Sequence, residues 1–198
     1  MDRTRSRRVT LLAALGVALV AVAGVASFAS PAAAQTARAS EDVGLGFKGL
    51  GARIGLVDPE GASSTLDLGF HIDAGELARN VHVSPIVEYW SVGQDVGQYH
   101  ADKKDFSLGL DLSFDFPLQD SRITPYAGGG LGLHWLKSTS NVPTVANQSR
   151  TKLGLNAQGG IRTDVMPNLA LFGELRYNFV SDANQLKLLG GFTYRFIY

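Results

Sequence analysis

Across residues 106–116 the chain reads Phe-Ser-Leu-Gly-Leu-Asp-Leu-Ser-Phe-Asp-Phe, a strict two-residue alternation. Successive side chains of a β-strand point to opposite faces. Phe106, Leu108, Leu110, Leu112, Phe114 and Phe116 therefore share one face, and Ser107, Gly109, Asp111, Ser113 and Asp115 share the other. A helix would scatter both sets around its circumference. The same period recurs at 50–56, 66–73, 81–90, 125–135, 153–164, 169–179 and 186–198, which predicts eight strands. Segment 81–90 is the least regular, and Pro85 within it marks an expected bulge.

The connections alternate as well. Those after the first, third and fifth strands run through 58–63, 93–104 and 137–151; those after the second, fourth and sixth occupy 75–80, 117–122 and 166–168. The last, around 181–184, is short for its class. Longer loops at one end and tight turns at the other suit an up-and-down barrel through an outer membrane.

The apolar face carries no charge in any segment. The opposite face carries Arg53, Arg162, Arg176, Lys187 and Arg195 against Asp67, Asp73, Glu88, Asp111, Asp115, Asp164 and Glu174. Five bases against seven acids can compensate one another inside a narrow lumen, where an isolated charge would be costly. Glycines interleave with these residues and leave room for long charged side chains. Tyr89, Phe106, Phe116, Trp135, Tyr177, Phe179, Phe196 and Tyr198 lie near strand ends on the apolar face. Aromatic rings favour that depth at a headgroup boundary. The fold predicted is thus all-β: an eight-stranded antiparallel up-and-down transmembrane β-barrel with its apolar face in lipid. With the faces reversed, the same pattern describes a soluble periplasmic lipocalin-like barrel around a lipophilic ligand.

The N-terminus supports export. Arg3, Arg5, Arg7 and Arg8 precede an uncharged apolar run that ends in Pro31-Ala32-Ala33-Ala34. A basic head, an apolar stretch and an A-x-A end describe a secretory signal peptide. The expected organisation is a signal peptide at 1–34, a linker at 35–43 and a barrel at 44–198. Ser6-Arg7-Arg8 hints at a twin-arginine route, although Thr10 stands where an aromatic is usual. The 198 residues contain no Cys, which excludes disulfides and thiol chemistry. Lys plus Arg equal Asp plus Glu at 18 each, so no basic field points to nucleic acid.

Little in the chain suggests catalysis. Gly44-Leu-Gly46-Phe-Lys-Gly49 matches G-x-G-x-x-G, but another alternating strand follows where a dinucleotide site needs a helix. His71, His82, His100 and His134 show no metal-ligand spacing, and lumenal packing accounts for them. His100 with Asp102 and Asp105, in a predicted loop, is the nearest approach to a cation site. His134 and Ser138 fall near one rim, yet no matching triad accompanies them. No cofactor and no enzymatic activity are expected. Glu174 and Arg176, like Arg162 and Asp164, share the lumenal face two residues apart, as either a salt-bridged plug or a gated ion path.

Residues 44–198 resemble the small eight-stranded outer-membrane β-barrels, the OmpA/OmpX-like superfamily. The resemblance is carried by Thr124-Pro-Tyr-Ala-Gly-Gly-Gly-Leu-Gly-Leu-His134, by Gly154-Leu-Asn-Ala-Gln-Gly-Gly-Ile-Arg162 and by Pro167-Asn-Leu-Ala-Leu-Phe-Gly-Glu-Leu-Arg-Tyr177. It implies that Phe192, Tyr194, Phe196 and Tyr198 form the signal read by the barrel-assembly machinery, although members usually end in Phe. It also implies an outer-membrane lipid environment; no peptidoglycan-binding domain is expected, since the chain stops at the last strand. The role expected is structural or interactive, with 93–104 and 137–151 available to a surface ligand; a small ion or solute channel is the alternative.

Overall fold

The computed structural model describes residues 43–96, 99–141 and 146–196. Eight strands occur there: β1 (Gly44–Pro59), β2 (Thr65–Ala78), β3 (Val81–Val96), β4 (Tyr99–Asp115), β5 (Ile123–Ser140), β6 (Gln148–Met166), β7 (Leu169–Val180) and β8 (Gln185–Arg195). They form one closed barrel in sequence order, and β8 pairs antiparallel with β1. Closure gives each strand a partner on both sides, so backbone polar groups are paired within the sheet. The expected leader, nearly all of the linker, and Tyr198 lie outside the described residues.

The two faces separate as the alternation requires. On β4, Leu108, Leu110 and Leu112 are 42–43% exposed, whereas Asp111 between them is 2% exposed. Ile54, Phe70, Leu131, Leu155 and Phe192 also face outward, while Arg53, Glu88, Glu174, Arg176 and Lys187 are buried. An outer surface this apolar rules out the lipocalin-like arrangement, whose greasy face would line the interior.

Three local expectations change. Pro85 sits in an unshifted β3–β4 ladder, and the irregularity falls opposite, between His71 and Glu76 of β2. Gly75 takes a φ of 83° there, a conformation that costs glycine nothing. The segments 93–104 and 137–151 are mostly strand: β3–β4 pairing continues to Val96↔Tyr99, and β5–β6 pairing to Ser138↔Gln148. Only 97–98 and 141–147 separate those strands, so the contrast between long loops and tight turns largely disappears. Where both faces of a strand meet water, alternation is no longer required although the ladder persists. Lastly, β1 starts at Gly44, so the G-x-G-x-x-G run is strand, with a register shift between Leu45 and Gly49.

Cross-strand register arranges the outer face in rows. Pro85, Leu110, Leu131, Leu155 and Phe179 make one row; Val87, Leu108, Leu133 and Leu153 make the next. Tyr89, Phe106, Trp135 and Thr151 follow, with the Phe106 and Trp135 rings 5.5 Å apart. This aromatic row bounds the apolar belt at the end opposite Gly44 of β1 and Arg195 of β8, called the loop end below; the other is the terminal end. At the terminal end Phe114 packs on Phe116, and Phe196 packs on Phe47 and Tyr194.

Past the aromatic row the barrel becomes lopsided. β2 pairs with β3 only as far as Asp67↔Trp90, and β7 pairs with β6 only from Gly154↔Val180. The β3–β4, β4–β5 and β5–β6 ladders run on to Val96↔Tyr99, Ala101↔Ser140 and Ser138↔Gln148. A four-stranded sheet therefore projects beyond the belt, flanked by the strand edges 91–96 and 148–153.

Candidate functional site

The lumen holds a buried charge cluster built from six strands. Arg176 of β7 is its hub. Its Nη2 lies 2.5 Å from Asp111 Oδ2 and 2.9 Å from Glu174 Oε1, and its Nη1 lies 3.5 Å from Glu88 Oε1. Nη2 also donates to Gln158 Oε1 at 2.5 Å. Lys187 of β8 contacts Glu88 Oε2 at 2.7 Å and Asp67 Oδ2 at 2.9 Å. Arg53 of β1 stands 3.5 Å from both Glu88 and Glu174, with its guanidinium over the Phe172 ring. Three bases thus face four acids. The surplus carboxylate is served by neutral donors: Tyr126 Oη donates to Glu174 at 2.9 Å, and Asn156 Nδ2 donates to Asp111 at 2.9 Å. Such groups persist in low dielectric only when paired and hydrogen-bonded.

The glycines beside the cluster make its room. A Cβ on Gly69 would stand 2.9 Å from Glu88 Cγ and 3.0 Å from Arg53 Cγ. One on Gly130 would collide with Asp111 Oδ1 and the Leu110 carbonyl. The polar face alternates charge with glycine because long side chains from one strand lie over the backbone of the next.

Of the twelve charged residues read as lumenal, seven meet in this cluster: Arg53, Asp67, Glu88, Asp111, Glu174, Arg176 and Lys187. The other five form pairs nearer the terminal end. Arg162 reaches Asp115 at 3.3 Å, and Arg195 reaches Asp164 at 3.0 Å and Asp73 at 3.8 Å. Asp164 lies on the exposed rim rather than in the lumen, beside the register shift that precedes β7. His82 adds itself to this group, 3.2 Å from Asp115. A cavity of about 50 Å³ lies here, lined in part by Arg53, His82, Arg162 and Arg195. It has room for a few waters.

Toward the loop end the lumen carries a second buried network. Asp105 Oδ2 accepts from Gln185 Nε2 at 2.6 Å and lies 2.8 Å from His134 Nδ1. Gln185 Oε1 in turn accepts from Trp90 Nε1 at 3.2 Å. Trp90 packs with Val57 and Val92 in a buried apolar cluster. The sequence pattern places Asp105 in a loop beside His100. It is instead 1% exposed, so it faces the lumen while His100 stands outside. Extending the alternation one step back from Ser107 finds it. Ser138 lies four residues beyond His134 on β5, about 13 Å along an extended strand, so no hydrolase pair forms.

His100 occupies the projecting sheet, beyond the belt. Its Nδ1 is 2.5 Å from Asp95 Oδ1 and its Nε2 is 3.2 Å from Asp102 Oδ2. The hydrogen bond to Asp95, with Coulombic help from Asp102 and Asp95, holds its pKa above the usual histidine value of 6.5. The contact is therefore fully present below that value and is lost as pH rises through the folded-state value. An NMR titration of the His100 ring should show a midpoint above 6.5, and the Asp95→Asn variant should lower it. A midpoint at or below 6.5 in the unmodified chain would contradict this geometry.

The profile of the outer membrane protein beta-barrel domain matches residues 19–196. Among solved structures, Neisserial surface protein A aligns with a TM-score of 0.62 at 21% identity, over 77% of this chain and 99% of that one. A major outer membrane protein from Thermus thermophilus aligns at 0.53 and 18% identity, over 75% and 98%. The N-terminal β-barrel domain of Pseudomonas aeruginosa OprF aligns at 0.50 and 15% identity, over 75% and 98%. No curated protein sequence matches the chain. A closed eight-stranded barrel with an apolar exterior, matched along most of its length, makes the assignment: the chain belongs to the outer membrane protein beta-barrel domain family and is a barrel of the cell outer membrane.

Proposed function

We propose that this protein is a plugged membrane anchor whose projecting β3–β6 sheet is the part that acts, as a surface for interaction outside the cell. The observation that carries the reading is the asymmetry of the ladders. Three of them continue well past the aromatic row, while β1, β2, β7 and β8 stop near it. A barrel that only spanned lipid would gain nothing from the extension, because strands of about 9–11 residues suffice. β4, β5 and β6 have 17, 18 and 19 residues. The loop end faces outward in this reading, with Gly44 of β1 and Arg195 of β8 toward the periplasm, and the candidate contact surface is formed mostly by strand rather than by free loops at 93–104 and 137–151.

The same reading keeps the expected signal peptide at 1–34. It also gives the assembly machinery a C-terminal strand whose Phe192 and Tyr194 face outward. Catalysis is not part of it, since the buried acids, bases and His134 are engaged with one another. A channel is the rival. Against it stand the filled centre around Arg176 and the apolar cluster of Val57, Trp90 and Val92 toward the loop end.

Two measurements separate these readings. Purified protein in planar bilayers should give no steady conductance; ohmic single-channel steps that change in the Glu174→Ala variant would favour the channel. In nanodiscs probed against glycan and peptide arrays, the full chain should bind at least one class. A variant with 93–102 replaced by a two-residue turn should retain barrel mobility on gels and lose that binding. Equal binding by both would remove the sheet from the account.

A further inference from the structure

The outer face carries a second row just beyond the aromatic one. Ser91 pairs with Lys104, Lys104 with Lys137, and Lys137 with Ser149, so two ammonium groups lie side by side between two hydroxyls. Each is two residues along its strand from Tyr89, Phe106, Trp135 or Thr151, hence on the same outward face. Lys104 and Lys137 are exposed. Like charges directly across a strand pair repel. Elsewhere on the loop end, lysines are engaged: Lys103 donates to the Gly61 carbonyl and Lys152 contacts Asp182. Among the described residues, neither Lys104 nor Lys137 has a hydrogen-bond or ion-pair partner. The nearest carboxylate on that face, Asp102, is one row further out and is occupied by His100.

We propose that Lys104 and Lys137, with Ser91 and Ser149 at the flanks, bind the phosphate of a net-anionic lipid headgroup, one that carries no cation of its own, at the loop-end boundary. Four features converge on that chemistry. The row offers ammonium and hydroxyl groups and no carboxylate. Its two cations are adjacent, so one phosphate can bridge them and turn a repulsive pair into a favourable one. It stands where the apolar belt ends, at headgroup depth, because aromatic side chains mark that level. Lysine stems are long and flexible enough to rise from a lipid-facing surface to a charged headgroup. With the loop end outside, as proposed above, the lipid is one of the outer leaflet; a phosphorylated glycolipid such as lipid A supplies the group.

The test uses the full-length mature protein in nanodiscs of phosphatidylcholine doped with lipid A, phosphatidylglycerol or neither, with bound lipid counted by native mass spectrometry. The unmodified protein should retain lipid A, and the Lys104→Ala/Lys137→Ala double variant should retain about thirtyfold less, the order expected when two cations at a membrane surface are lost. Lys152→Ala, whose charge is already paired, serves as the control and should retain lipid A as the parent does. Retention equal in parent and double variant would overturn the proposal. Displacement of lipid A by millimolar inorganic phosphate would also overturn it, since the site would then be one for free anions. Gel mobility of the refolded barrel excludes misfolding as the cause of a loss. This result is independent of the array experiment: lipid retention that survives replacement of 93–102 while array binding fails in the parent would sink the surface-interaction reading and leave the headgroup site standing.

Discussion

Replacing Arg176 with methionine should cost the barrel about 3–5 kcal/mol, the range for removing one partner of a buried ion pair. The guanidinium is 1% exposed and is shared by Asp111, Glu174, Glu88 and Gln158. Without it, two bases, Arg53 and Lys187, face four acids in a lumen that water enters poorly. Unfolding of the refolded barrel in guanidinium chloride, followed by tryptophan fluorescence, should show the loss as a lower midpoint with an unchanged slope. Adding Glu174→Gln to Arg176→Met restores the native charge balance and should recover part of the stability. An Arg176→Met barrel with the parent midpoint would mean that the cluster contributes nothing to holding the strands together.

The second large effect belongs to the opposite face. Leu110 lies in the row with Pro85, Leu131, Leu155 and Phe179, within the apolar belt and two rows from the aromatic boundary. Arginine there should cost about 2–4 kcal/mol, because a charge at that depth meets hydrocarbon. Leu110→Arg should therefore accumulate unassembled, without heat-modifiable gel mobility and outside the outer-membrane fraction. Asp111→Asn, one residue away, should assemble. It removes one of four acids facing three bases; the amide oxygen still accepts from Arg176, and the Asn156 amide can turn so that its own unpaired Oδ1 accepts from the new NH2. Comparable damage from both substitutions would contradict the assignment of the faces.

The difference between those neighbours explains what was legible from sequence. Inside the belt each residue faces either hydrocarbon or a crowded polar lumen, so every second position is constrained and the strands of 106–116 and 186–195 can be read off. Past Tyr89, Phe106 and Trp135 the outward face leaves hydrocarbon, and past Val92 and Asp105 the inward face leaves the crowded lumen as well. Lys103, Lys104 and Asp105 then look like a loop although they stay in the ladder, and the projecting sheet goes unread. Membership of the charged face was legible, but partnership was not. A period of two is satisfied by any even shift in register, so the union of Arg176 with Asp111, or of Asp105 with His134 and Gln185, required the actual pairing of β4 with β5 and β7 with β8. The bulge at Gly75 escaped for a related reason, since Pro85 signals a broken ladder without saying which strand holds the extra residue.

The chain has no native cysteine, so single cysteines carrying nitroxide labels can report each position along β4. In lipid bilayers, accessibility to dissolved oxygen and to a water-soluble relaxant should alternate from 107 to 113. Labels at 108, 110 and 112 should collide freely with oxygen and hardly at all with the relaxant, while labels at 107, 111 and 113 should be shielded from oxygen. High oxygen accessibility at 111 and 113 with shielding at 110 and 112 would contradict the barrel as described.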